Sequence, residues 1–432
     1  MSAPTVWLTT LGCAKNQVDS EKVLAMAAEA GYVMARSPET ADVVMVNTCA
    51  FIEEARAESV ETILEMGERR RPDSKAIVIG CMAQRFGSEL GSALPEVDAV
   101  VGIDRYGELV GILDQLTGWQ PVQIRRRPIM DILHAVGRPL SDLPYAYLKV
   151  AEGCDKPCTF CAIPSIRGKQ RSRRPHEIRE EARGLVAAGV SEIVLVAQDL
   201  AAYGRDIGAP GTLADLLDHL SDIPGLRSIR LLYLHPREIR PRLLEAMTSS
   251  PVVAPYFDLS LQHASGRLLR AMKRPGDGAR HLELIGRIRE LDPDAALRSS
   301  FIVGFPGETE DDIEDLASFL EEARLDWAGF FAYSREGGTY AAGLDGRVDA
   351  GLVAERLAEL RELQDGITAR RRDALVGSVV EVLVDAPGVA RSHREAPEID
   401  GIVTVPPELA PGDLAKVRIT GAAGPDVDAV PV

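Results

Sequence analysis

Three cysteines, Cys154, Cys158 and Cys161, stand in the run GCDKPCTFC, a C-x3-C-x2-C spacing. Thiolates this close on one loop can converge on one ion or cluster, and iron–sulfur clusters are held by such thiolates. Four ligands close a site, whereas three leave one metal position open to a substrate. A zinc ion completed by a distant histidine is the competing reading, although zinc sites usually show C-x2-C pairs. The other three cysteines, Cys13, Cys49 and Cys81, are far apart in the chain, yet each follows an apolar run of strand length. Those runs are VWLTTL (6–11), DVVMVN (42–47) and AIVIG (76–80). A strand–helix unit takes roughly 30 residues, so all three thiols are expected at the carboxyl edge of one parallel sheet, where α/β sheets bind ligands. One such cysteine alone would read as ordinary core. Three at equivalent positions point to a second cluster, again with an open position.

These cysteines must be positioned by the elements around them. The chain has 432 residues, a formal charge of −16, 46% hydrophobic and 26% charged residues. That suits a globular protein of two or three domains. Six cysteines are too few for a disulfide scaffold. No apolar run approaches the ~18 residues of a membrane span, and the amino terminus lacks a secretory pattern. The acidic balance weighs against a protein that coats bare nucleic acid. A cytoplasmic α/β protein with no membrane contact is expected.

Strand–helix alternation over 4–117, with helices near 19–30 and 53–69, predicts a doubly wound parallel-sheet domain. A Pro/Arg-punctuated linker follows over 118–139. Six strand-like runs over 140–373 predict a partial (β/α)6 barrel, open on one side; they are 147–152, 192–198, 229–234, 257–262, 296–304 and 328–333. Over 374–432, VVEVLVDA, IDGIVTV and LAKVRIT predict a small antiparallel β-barrel docked on the central domain. Arginine runs at 69–71, 125–127 and 370–372 are read as solvated faces.

GCDKPCTFC and the six-strand partial barrel resemble the radical S-adenosylmethionine (SAM) enzymes. In that family the three cysteines hold a [4Fe–4S] cluster whose open iron is chelated by SAM, which is cleaved to a 5′-deoxyadenosyl radical. Two three-cysteine sets followed by a small β domain resemble the methylthiotransferases over nearly the whole chain. LGCAKNQVDSE (11–21) and VNTCAFIEEARAES (46–59) look like their amino-terminal motifs, with Ala14 where the pattern has proline. The resemblance implies two [4Fe–4S] clusters, SAM, and an electron donor such as flavodoxin or ferredoxin; the sulfur donor is unassigned. The second cluster would supply or relay the inserted sulfur.

Two branches of the family are in question: one modifies adenosine in transfer RNA, the other an aspartate β-carbon of small-subunit ribosomal protein twelve. The last domain resembles TRAM. Over 376–432 it carries four basic residues (Arg391, Arg394, Lys416, Arg418) against nine acids, a poor phosphate-binding surface. It suits a basic protein partner. The runs ARSHREAPEIDGIV (390–403), 151–173 and LLYLHP (231–236) also look like the protein-modifying branch, with nucleic acid not the primary partner. A zinc-stabilised binding module without catalysis is the reading from another class.

The resemblance also implies SAM contacts. Phe160 would lie by the adenine, and Gln198 and Asp199 would meet the methionine amino group, with a helix-capping role for Asp199 as the alternative. Gln262 and His263 end the fourth strand of the barrel. Arg298 and Ser300 would reach ribose or carboxylate if they point inward. Gly304 and Gly307 would permit close backbone approach, and Glu308 either joins the site or serves a helix dipole. The cluster Arg167, Lys169, Arg171, Arg173 and Arg174 either binds the SAM carboxylate or orders the cysteine loop.

Overall fold

A run that is apolar on both faces has to be covered on both faces, and the amino-terminal sheet is built from such runs. The computed structural model describes residues 3–119, 131–135, 137–138, 143–208 and 212–432; most of the expected linker, including the 125–127 arginines, lies outside them. The strands β1 (Thr5–Thr10), β2 (Val33–Met34), β3 (Val43–Thr48), β4 (Lys75–Gly80) and β5 (Ala99–Val101) form a parallel sheet in the order β2-β1-β3-β4-β5. All six residues of β3 are buried. Val44, Val46 and Val78 pack with α2 (Glu53–Arg69) and α3 (Cys81–Ala93), while Val43, Met45 and Ile77 pack with α1 (Ala14–Glu29) and α4 (Leu109–Thr117). This is the doubly wound arrangement. Helix α1 starts five residues before its expected 19, because its first turns bury Lys15, Asn16, Asp19, Ser20 and Lys22 around a single apolar residue, Val18. A polar buried face leaves no hydrophobic period to read.

The barrel strands are β6 (Tyr145–Lys149), β9 (Glu192–Val196), β10 (Ser228–Leu231), β11 (Tyr256–Gln262), β12 (Ala296–Val303) and β13 (Trp327–Ala332). Between the first two come β7 (Ala151–Glu152) and β8 (Arg171–Ser172), an antiparallel pair that brackets the cysteine loop. The expected strand 147–152 is therefore split in two. The six barrel strands form two three-stranded parallel sheets, joined where Ile229 bridges Val253 and Leu234 bridges Leu259. Among the described residues β6 and β13 do not pair with each other, so the barrel is partial. Helices packed outside the strands bury Ile178, Leu216, Leu243, Ile285, Leu316 and Leu360 against them.

The last five strands are β14 (Val379–Ala386), β15 (Val389–Arg391), β16 (Val403–Thr404), β17 (Leu414–Ala423) and β18 (Asp426–Pro431). They close into a barrel in the order β14-β15-β16-β18-β17. One pair, β16 with β18, is parallel rather than antiparallel. The strands β15 and β18 are too short, or too broken by polar residues and proline, to stand out as apolar runs.

Residues 392–400 leave this small barrel and plug the amino-terminal mouth of the large one. Arg230 on β10 donates to the carbonyls of His393 (2.7 Å) and Ser392 (3.1 Å), and Tyr147 on β6 to that of Pro397 (3.3 Å). The Trp327 indole donates to the Arg394 carbonyl at 2.6 Å, and Ala396 joins the interior cluster of Tyr145, Val194 and Tyr256. Arg372 is no solvated residue either: it is 3% exposed, pairs with Glu395 and lies over the Trp327 ring. The 69–71 run does lie on the surface, paired with Glu39, Glu65, Asp42 and Asp98.

At the centre of the plug Glu192 is paired with Arg230 (2.8 Å) and Arg391 (2.7 Å). Burial alone would raise its carboxyl, but the two guanidiniums bring it down to about 2. A folded value below the unfolded one stabilises the fold above pH ~4.3, and that contribution is lost as pH falls towards 2. Replacing Arg391 by Met should cost about 3–5 kcal/mol at pH 7, because it leaves a buried charge short of a partner. Urea unfolding should show this loss shrinking between pH 5 and about pH 2, as Glu192 becomes neutral.

Candidate active site

Adjacent parallel strands end at one edge, so the turns after β1, β3 and β4 meet. Gly12 has φ +91°, and a Cβ placed on it would stand 2.8 Å from Cβ and 3.0 Å from Sγ of Cys49. Gly80 has φ +99°, and its Cβ would fall 2.3 Å from Asn47 Oδ1. Both positions need glycine for conformation and for room. Two buried asparagines lace the turns together. Asn16 donates to the carbonyls of Leu11 (2.8 Å) and Thr48 (3.2 Å), and Asn47 donates to the Asn16 carbonyl (2.9 Å) and Ser20 Oγ (2.8 Å). Ser59 Oγ accepts the Cys49 N–H at 3.1 Å and donates to its carbonyl at 3.0 Å.

The three thiols feel one another electrostatically. Burial would raise Cys13, but Lys15 and Arg167 together hold it below its ordinary value. Cys49 is pushed up to about 11 by burial and by the charges of Cys13 and Cys81. Burial also raises Cys81, against the pull of Arg167. Gathering the charge of several thiolates here requires positive groups, and Arg167, 3.2 Å from Cys81 Sγ, is the one in contact with a thiol.

The second set sits on the loop between β7 and β8. Gly153 has φ +80°, with its would-be Cβ 2.2 Å from the Lys169 carbonyl, so a glycine again precedes the first thiol. Cys154 N–H donates to the Gly168 carbonyl (3.1 Å) and Lys156 N–H to Cys154 Sγ (3.4 Å). Thr159 pins the loop from inside, donating its N–H to the Met272 carbonyl (3.1 Å) and its hydroxyl to that of Ala271 (2.9 Å). Arg274 faces Cys158 Sγ at 3.8 Å. Burial raises Cys154 to about 11 and Cys161 to about 12, and the neighbouring thiols add to it. Among the described residues no three His, Cys, Asp or Glu side chains are grouped as ligands of a single metal ion.

One buried side chain ties the two sets together. Arg167, at the end of helix α5 (Ile163–Arg167) just beyond Cys161, reaches Cys81 Sγ (3.2 Å), Asn16 Oδ1 (2.6 Å), Asp19 (3.0 Å) and Glu152 (2.9 Å). Lys149 completes the network, paired with Asp19 and with Glu152 at 2.7 Å. Glu152 also accepts from Gln198 Nε2 at 2.6 Å. Burial opposes the Glu152 carboxylate, but Arg167 and Lys149 keep it well below the usual range. Of the alternatives open for the basic cluster, Arg167 and Arg173 order structure: Arg173 is buried against Glu181 (2.7 Å) and the Lys149 carbonyl (3.0 Å).

Residues 5–102 match the family described as Uncharacterized protein family UPF0004, 148–320 the radical SAM superfamily and 376–432 the TRAM domain. The ribosomal protein uS12 methylthiotransferase RimO of Saccharopolyspora erythraea is 41% identical, with 100% of this chain and 96% of that one covered. The enzyme of that name from Moorella thermoacetica is 44% identical over 96% of each chain. The chain belongs to the RimO family. Its fold is also similar to that of the radical SAM methyltransferase TsrM from Kitasatospora setae, solved with cobalamin and a [4Fe–4S] cluster (TM-score 0.57, 15% identity, 95% of this chain and 84% of that chain covered).

The donor set of this RimO family member fits two clusters and SAM. Six free thiols in two threes are soft ligands suited to iron–sulfur clusters. At the carboxyl end of β9, Gln198 Oε1 and Asp199 Oδ1 are buried acceptors with no protein partner. Asp199 does not cap the short turn after it; its other contact is Lys156 at 3.4 Å, and burial raises its carboxyl. Phe160 packs with Leu268, Met272 and Phe305 beside the loop. Gln262 ends β11 with φ +74°, after a register shift in its pairing with β12. Ser300 lies opposite Gly329 on the strand face that alternates with core residues Leu297 and Phe301.

Other expected contacts are used differently. Arg298 lies near the amino end of β12, held by Asp258 (3.0 Å) and by Asp400 of the plug (3.4 Å), so its guanidinium ties the barrel to the last domain. The space at Gly304 is taken by Val353, 2.5 Å from a would-be Cβ, and its N–H is already bound by Glu308 at 2.9 Å. Glu308 precedes the helix Glu310–Ala323 and pairs with Arg356 at 2.9 Å, so it is a buried brace and not a dipole partner. His263 Nδ1 accepts two backbone N–H groups at 3.0 Å. Asp19, Lys149, Glu152 and Asn47 went unread in the sequence because buried ionic groups leave no periodic signal. The recurrence of Gly before Cys at 12–13, 80–81 and 153–154 was visible there and marks the tight turns.

Replacing Arg167 by Met should lower stability by about 3–5 kcal/mol, since Asp19 and Glu152 lose a buried cation. Replacement by Lys should lose less, keeping charge without the planar fork. Urea unfolding of the metal-free protein under reducing conditions measures both.

Proposed function

We propose that this chain inserts sulfur and a methyl group at the β-carbon of an aspartate in ribosomal protein uS12. The observation that carries the reading is the reach of Arg167, from the segment just after Cys161, to Cys81 of the other three-thiol set, in a chain alike to RimO enzymes over its whole length. Cys154, Cys158 and Cys161 hold the [4Fe–4S] cluster that binds SAM, and Cys13, Cys49 and Cys81 hold the second. When bound, these groups supply the electron, the adenosyl radical and the sulfur.

The protein's own work is placement. Gln198 and Asp199 offer their unpartnered oxygens to the SAM ammonium, Phe160 lines the adenine side, and Gln262 and Ser300 line the barrel. Arg274 offsets negative charge at the barrel set, with the Lys156 ammonium acting on Cys154 from farther off, and Arg167 does so at the other. The plug at 392–400 excludes water from the far mouth of the barrel. The reading calls for an electron donor such as flavodoxin or ferredoxin. The reaction is cytoplasmic; among the described residues no helix is long and apolar enough to cross a membrane. Of the charged groups in the last domain, five exposed acids face two exposed bases, Lys416 and Arg418. The acidic surface survives the loss of the buried pairs, and it suits a basic ribosomal protein better than RNA.

Anaerobically reconstituted enzyme should carry about eight irons per chain, on the four-iron stoichiometry of each cluster. Replacing Cys154, Cys158 and Cys161 by Ala should halve the iron and abolish SAM cleavage. The same change at Cys13, Cys49 and Cys81 should halve the iron, spare SAM cleavage and stop sulfur insertion. Mass spectrometry of uS12 should show a gain of about 46 Da, the replacement of H by SCH3; methylthiolated adenosine in transfer RNA with unmodified uS12 would overturn the substrate assignment.

A further inference from the structure

Among the described residues eleven lysines and arginines are buried, and nine of them have a carboxylate at ion-pair distance. The two without one are Arg274, which gives its N–H groups to the Ser260 carbonyl and Cys158 Sγ, and Lys15. Lys15 is 8% exposed, and its one close contact is the ring of Tyr233, whose centroid lies 3.6 Å from the ammonium. A ring face recovers only part of what a buried ammonium loses in leaving water. Lys15 also sits in the first turn of α1, where the helix dipole adds positive potential, and its electrostatic neighbours include the Cys13 thiol and Glu152 as well as Arg167, none of them a carboxylate at ion-pair distance.

The direction of the side chain matters as much as its charge. Tyr233 belongs to the barrel, in the interior cluster with Tyr147, Val196 and Leu232. It holds φ +64°, a conformation rare for a bulky residue, with its N–H bound by Asp258 Oδ2 at 2.9 Å. The ammonium of Lys15 is thus carried from the loop of Cys13 onto the barrel wall, between the element bearing one thiol set and the barrel bearing the other. A carbon that meets both a radical and a sulfur has to be held in that region. The group missing from the pairing is a carboxylate.

We propose that the Lys15 ammonium anchors the side-chain carboxylate of the substrate aspartate. This rests on the uS12 reading above and adds the residue that selects an acidic side chain. Lys15 is a positioning and specificity residue that presents the β-carbon of the aspartate while neutralising its charge. An adenosine offers no anion there.

The test is a double-substitution binding cycle. Holoenzyme with both clusters, loaded with S-adenosylhomocysteine so that nothing turns over, is titrated with uS12 and with uS12 whose target aspartate is replaced by asparagine. Lys15→Gln should weaken uS12 binding at least about 30-fold, the scale of breaking one buried charge pair. The asparagine form should bind the unaltered enzyme equally weakly, and the two changes together should cost little more than either alone. Lys15→Arg should recover most of the affinity. Independent, multiplying losses would overturn the proposal, as would unchanged binding by Lys15→Gln. A fall of about four irons in Lys15→Gln would overturn it too, by assigning the ammonium to the cysteine set. Failure of the unaltered enzyme to bind uS12 would remove the substrate reading itself, and this proposal with it.

Discussion

The structure depends on a buried ionic knot in which Asp19 of the amino-terminal domain and Glu152 of the barrel share Lys149 and Arg167. Four charges taken out of water are costly, and each is tolerable only while the other three are in place. That condition sets the relation of the two domains: a displacement that separated α1 from the barrel would leave unpaired charges on both. Apolar packing of similar area would tolerate sliding, whereas ion pairs with fixed donor directions do not. Because Arg167 also reaches Cys81, the same knot places one thiol set against the loop of the other.

At the opposite mouth of the barrel a second ionic layer does comparable work. Glu192, Arg230 and Arg391 bind the last domain to the ends of β9 and β10, and Asp400 holds Arg298. The large barrel is thereby closed below and left for chemistry above, where its strands end and both cysteine sets lie. Several charges of the last domain that look in the sequence like surface for a partner, Arg391, Arg394 and Glu395 among them, are internal glue. The run 390–403 supplies the plug, and the domain's outward character rests on the few acids that stay exposed.

Much of the fold was legible because it follows from pattern. Helix α2 spans 53–69 as expected, and the six barrel strands lie close to their apolar runs. The glycines at 12, 80 and 153 are legible to chemistry as well, since each turn admits no side chain. What escaped notice has a common cause. The early start of α1 and the pairing of Arg298 with Asp400 arise from polar burial and from contacts between residues about a hundred or more apart, which no local period reports, while β15 and β18 carry too few consecutive apolar residues to stand out.

The sequence alone determined which chemistry is available: thiol number and spacing, and strand–helix alternation that returns Cys13, Cys49 and Cys81 to one sheet edge. These are local properties, set by covalent order and by the period of apolar residues. Only the tertiary structure decided which charges are partners, which are braces and which is left over. A side chain's counter-ion depends on distance through space, and Lys15 differs from Lys22 or Lys149 in nothing but the company its ammonium keeps.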